Sequence, residues 1–113
     1  MKIIEKIITP DELKVMAKER FGDFVKAVVD VHEKIMAVDA ELHADLEALL
    51  LEKGSAQKDL WGINIYPELT GDDFIEFDSM INLRPSQGNR SRGVEEANLR
   101  ERIAKIVNKL VQK

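Results

Sequence analysis

The chemistry most open to a ligand sits in one run, Arg84-Pro85-Ser86-Gln87-Gly88-Asn89-Arg90-Ser91-Arg92-Gly93. It holds three arginines, two glycines and an asparagine, and its sole apolar member is the proline. A guanidinium binds phosphate or carboxylate through two parallel N–H donors. Gly88 and Gly93 permit positive φ, which lets successive backbone amides turn toward an anion. A helix is expected to begin soon after, and its N-terminus adds partial positive charge. The expected site is therefore an anion site at Arg84, Asn89, Arg90 and Arg92. Glu95 and Glu96 would compete with an incoming anion. The alternatives are that the arginines pair with Glu76, Asp78 or Glu95 while the glycines only shape a turn, or that the run faces a protein partner. It matches neither a P-loop nor a dinucleotide fingerprint.

A second group is Glu41, His43, Asp45 and Glu47. On a helix only His43 and Glu47 share a face, at i, i+4. On a strand all four would line one face, and one histidine with carboxylates suits Mn, Fe or Zn. The plainer reading is a solvated face beside a leucine stripe, with no metal and no cofactor. A third group, Asn64, Tyr66, Glu76, Asp78, Asn82 and Arg84, would form the wet face of a hairpin leading into the arginine run. Glu76 and Asp78 are two apart and could act as an acid/base pair. No serine lies in a G-x-S-x-G elbow. Aromatics are 5% of the chain, so Trp61 and Phe77 read as core rather than as base-stacking platforms.

The 113 residues suffice for a single domain, 1–113, and not for two. The chain has no cysteine, which excludes disulfides, a thiol nucleophile and Cys-type metal sites and suits a reducing cytoplasm. Glu5 and Lys6 interrupt the apolar start, so it does not read as a signal peptide. No window approaches the ~18 apolar residues of a membrane span. Residues 1–83 carry 9 basic and 18 acidic side chains, and residues 84–113 carry 8 and 3. This acidic body argues against bulk nucleic-acid binding. The basic tail can be read as complementing a helix dipole.

The elements that must position these groups follow from periodicity. Residues 2–8 predict a strand. Thr9, Pro10 and Glu12 predict a capped helix start, with Leu13, Met16, Ala17 and Phe21 at helical spacing and Gly22 as its stop. Residues 24–32 alternate, with Val25, Ala27, Val29 and Val31 on one face, and residues 35–38 predict a hairpin partner across Glu33-Lys34. Residues 41–53 fit both periods. Alanine and leucine dominate and Gly54 follows, so a helix over about 42–53 is favoured. Strands are predicted over 60–66 and 74–84, and an amphipathic helix over 96–111 with Leu99, Ile103, Ile106, Val107 and Leu110 on its stripe. The expected fold is α+β, in the order β-α-β-β-α-β-β-α, with a mostly antiparallel sheet and helices packed on one face.

Three segments carry a resemblance: Glu41-Leu42-His43-Ala44-Asp45, Asp59-Leu60-Trp61-Gly62-Ile63-Asn64, and Asn82-Leu83 running into the arginine stretch through Arg92. With these, nearly the whole chain resembles a domain-of-unknown-function family of short bacterial and archaeal proteins. The resemblance implies a stand-alone prokaryotic protein and brings no assigned site. The residues themselves favour a small cytoplasmic binding module for an anionic, phosphate-bearing ligand. A metal-assisted hydrolase using His43, and a regulatory interaction protein or homodimer, are the other classes kept open.

Overall fold

The computed structural model describes residues 1–113. Strands β1 (Lys2–Ile4), β2 (Val25–Asp30), β3 (Ile35–Val38), β4 (Leu60–Ile65) and β5 (Ile75–Glu76) form one sheet in the order β1-β3-β2-β4-β5. Every pairing is antiparallel. Helices α1 (Pro10–Arg20), α2 (His43–Lys53) and α3 (Ala97–Leu110) cover it. The α+β class and the antiparallel sheet are as the sequence predicts. No helix is long and apolar enough to cross a membrane.

Local chemistry explains several boundaries. Thr9 caps α1 by accepting from the Glu12 amide at 3.2 Å, and Glu12 returns the bond to the Thr9 amide. Between β2 and β3, Asp30 is buried in the hairpin turn. Its carboxylate accepts from the His32 and Glu33 amides, both at 2.9 Å, and from Ser55 Oγ at 2.6 Å. That explains a tight turn without Asn-Gly. Side-chain oxygens satisfy the turn amides instead, and Lys34 takes positive φ.

β2, β3 and β4 are buried on both faces, so the sheet must be covered twice. Val25, Ala27, Val29, Trp61, Ile63 and Ile65 pack with residues of α1 and α3. Val28, Ala37 and Leu60 pack on the opposite side with Leu46 and Leu50 of α2. The helices therefore divide two to one across the sheet, with α2 facing away from the others. A single covered face would leave Val28, Ala37 and Leu60 in water.

Two strands are shorter than their sequence pattern. β1 stops at Ile4, and Ile8 instead forms an isolated parallel bridge with Val111. The predicted strand over 74–84 stops at Glu76. Ile75 and Phe77 pack on the α1/α3 side, whereas Ile81 packs on the α2 side. The chain thus crosses the sheet edge. Ser79 Oγ accepts from the Ile81 amide at 3.2 Å and opens a 3-10 turn over Met80–Asn82.

Candidate functional site

The arginine run folds into a compact loop between β5 and α3. Arg84 and Asn89 close it with two backbone hydrogen bonds of 2.9 and 3.1 Å. Gly88 supplies the positive φ of 80° that ends the 3-10 turn Pro85–Gln87. The structure brings the four predicted site residues into this loop but turns two of them inward. Arg84 donates to the Ile81 carbonyl at 3.0 Å and the Gln57 carbonyl at 2.7 Å, and also to the Leu60 carbonyl. Its guanidinium lies 4.1 Å from the Trp61 ring centroid. Burial lowers its pKa from the ordinary arginine value. Asn89 is buried; its amide donates to the Asn82 and Gly93 carbonyls at 2.7 and 2.8 Å and accepts from the Glu95 amide at 2.9 Å. Arg92 pairs with Asp78 at 2.7 Å. Only the Arg90 side chain is exposed with no ion-pair partner, although Glu95 accepts from its backbone amide.

Because α2 begins at His43, residues 43–47 are helical. His43 is buried, and its Nε2 meets the Ile63 carbonyl at 2.7 Å. A carbonyl only accepts, so Nε2 carries the proton. Burial lowers the His43 pKa below 6.5, against the opposing effect of that hydrogen bond. Asp45 points to solvent and Glu47 is half-buried, with Oε2 enclosed and unpartnered. Glu41 approaches Arg20 at 4.0 Å. No three His, Asp or Glu side chains are placed to hold a metal.

Of the hairpin polar group, Asn64, Tyr66 and Glu76 do meet. Glu76 Oε1 accepts from Asn64 Nδ2 at 2.8 Å and from the Tyr66 hydroxyl at 3.2 Å. Burial, with the Glu76 charge second, raises the Tyr66 pKa above 10. Asp78 is held by Arg92, and Asn82 by the backbone of Gly62.

A concavity of about 740 Å³ lies elsewhere, along the C-terminal half of α3. One wall is the connection Glu5–Ile8. It is fixed to α3 by the Ile8 amide on the Leu110 carbonyl at 2.8 Å and the Gln112 amide on the Ile8 carbonyl at 3.0 Å. The other wall is the β2–β3 turn that Asp30 holds. Val31, Ile106 and Leu110 form a recessed apolar floor, and Ile7 is 57% exposed at its edge. Arg102, Lys105 and Lys109 of α3 stand around it with Lys6 and Lys34. None of these five cations forms an ion pair. Of the two carboxylates in the lining, Glu5 is bound to Lys53 at 2.6 Å.

Sequence reasoning missed this groove. The available signal was the basic side of α3, where Arg102, Lys105 and Lys109 follow i, i+3, i+7 beside Ile106 and Leu110. Read alone it looks like dipole complementation. Lys6 and Lys34 come from distant segments, and only the fold adds them.

No curated protein and no solved structure matches the chain. The family described as "Protein of unknown function (DUF5674)" matches residues 2–110, and the chain belongs to that family.

Proposed function

We propose that this protein is a binding module for an anionic, phosphate-bearing ligand, and that the α3 groove holds it. One observation carries the reading: five cations without ion-pair partners surround a concave apolar floor. Several cations elsewhere are engaged, Arg20 by Asp39, Lys53 by Glu5 and Arg92 by Asp78, whereas the five of the groove converge on one concavity. With Glu5 held by Lys53, these five cations face one unpaired lining carboxylate, Glu33, and such an excess of positive charge attracts an anion and raises its local concentration. The carbonyls of Leu110 and Lys109 already accept from the Ile8 amide and Gln112 Nε2. The helix end therefore opposes an anion less than an open one would. In the loop, Arg90 is the residue left to bind an anion, and it serves as the comparison site. The lack of cysteine suits a cytoplasmic protein.

The test is a titration of the isotope-labelled protein with inorganic phosphate at low salt, read from backbone amides. Shifts at Lys6, Ile7, Lys34, Lys105 and Lys109 support the groove. Shifts confined to Arg90 and Arg92 return the site to the loop. No shift anywhere at millimolar phosphate ends the reading.

A further inference from the structure

We infer that the groove takes a single-chain anionic amphiphile, an alkyl carboxylate or alkyl phosphate, with its head among the lysines and its chain on the apolar floor. This rests on the reading of the groove as an anion site and adds the chemistry of the ligand's body. The groove holds about 740 Å³, within the roughly 300–1,000 Å³ of small-molecule sites and far more than a bare phosphate fills. A bare phosphate would also meet four flexible, hydrated ammonium groups and the Arg102 guanidinium, which already donates to the Val31 carbonyl at 3.3 Å, a weak arrangement on its own. The floor supplies what the lysines lack. Ile7, Val31, Ile106 and Leu110 are all aliphatic and line the same space.

Their type selects the body of the ligand. No aromatic side chain lines the groove, so a nucleobase finds no stacking platform, whereas an alkyl chain finds matching aliphatic contacts. Their depth selects between one molecule and a bilayer. Val31, Ile106 and Leu110 are recessed, at 6%, 7% and 4% exposure, and only Ile7 protrudes. A flat lipid surface cannot reach the recessed three, but a single chain lying in the groove can. Ile7 then closes over the chain beside Lys6.

Transfer of methylenes from water to an apolar site tightens binding by about fourfold each. The experiment titrates the full chain with inorganic phosphate, octyl phosphate, decyl phosphate and octanol. All amphiphiles are kept below their micelle concentrations, and vesicles of anionic phospholipid form a separate arm. The expected result is decyl phosphate tighter than octyl phosphate by about fifteenfold, and octyl phosphate tighter than both phosphate and octanol. Ile7→Ser should reduce the gain with chain length; Ile7 is exposed enough for the variant to fold.

Equal affinity for phosphate and octyl phosphate would overturn the amphiphile while leaving the anion site standing. Equal affinity for octanol and octyl phosphate would overturn the role of the lysine-bound head. Binding to vesicles without binding to monomeric alkyl phosphate would overturn the single-chain ligand in favour of a bilayer. Silence in every arm would remove the anion site itself.

Discussion

The side chain of Asn82 takes the place of a neighbouring strand beside Gly62. The Gly62 amide donates to Asn82 Oδ1 at 2.8 Å, and Asn82 Nδ2 donates back to the Gly62 carbonyl at 2.9 Å. β5 pairs with β4 only at Asn64 and Ile65, so the rest of that edge would otherwise stand open. Asn82 covers its middle and the Arg84 guanidinium covers the Leu60 carbonyl. Side chains thus close an edge that would otherwise template pairing with another chain. Asn82→Ala should lower unfolding stability by about 2–3 kcal/mol, because it orphans buried backbone groups. Urea unfolding measures this, and a loss below about 0.5 kcal/mol would show that water replaces the amide.

Gly62 is required by what packs over it. A Cβ there would lie 2.5 Å from Ser79 Cβ, 2.6 Å from Ser79 Oγ and 3.2 Å from His43 Cδ2. Gly62→Ala should therefore destabilise by about 1–3 kcal/mol. Adding Ser79→Gly should recover part of that loss, as contacting sites couple by about 0.5 kcal/mol or more. Strict additivity of the two substitutions would show that the overlap is relieved elsewhere.

Arg84 is a structural tie in this fold. Arg84→Lys should destabilise by about 1–3 kcal/mol, since an ammonium cannot reproduce three carbonyl contacts and the face-on approach to Trp61. Trp61 fluorescence should change with it. Arg90→Lys, on an exposed side chain, should stay within about 0.5 kcal/mol of the parent. Equal stability of the two variants would contradict this placement of Arg84.

How much of this was legible in the sequence depends on the range of the interactions. The Thr9–Glu12 capping box, the alternation of Val25–Val31 and the stripe of α3 are local patterns, and each lies where periodicity puts it. Residues 74–84 alternate equally well yet leave the sheet after Glu76. That departure depends on Ser79 and Asn82 meeting Gly62 across about twenty residues. The side of the sheet that α2 covers was hidden for a related reason, because Val28 and Ala37 carry apolar side chains on what looked like a second face. At the arginine loop, residue type suggested an anion site. What it could not show is that Arg84 and Asn89 face backbone carbonyls rather than solvent.

His43 should make stability depend on pH. Burial depresses its folded-state pKa below 6.5, so the unfolded chain takes up the proton first. Stability is then fully present above about 6.5 and falls as pH drops from there toward the lower folded value. Urea unfolding between neutral and mildly acidic pH should show this decline, and His43→Gln should flatten it. An unchanged slope in the variant would remove His43 as its source.

The most direct test of the groove compares phosphate affinity in the parent, in the double variant Lys105→Gln/Lys109→Gln and in Arg90→Gln, by amide shifts at low salt. Both sites are exposed, so all three proteins should fold alike. The expected result is a loss of affinity of about fivefold or more in the double variant, with Arg90→Gln unchanged. Undiminished binding in the double variant, with loss in Arg90→Gln, would contradict the groove and place the anion at the loop.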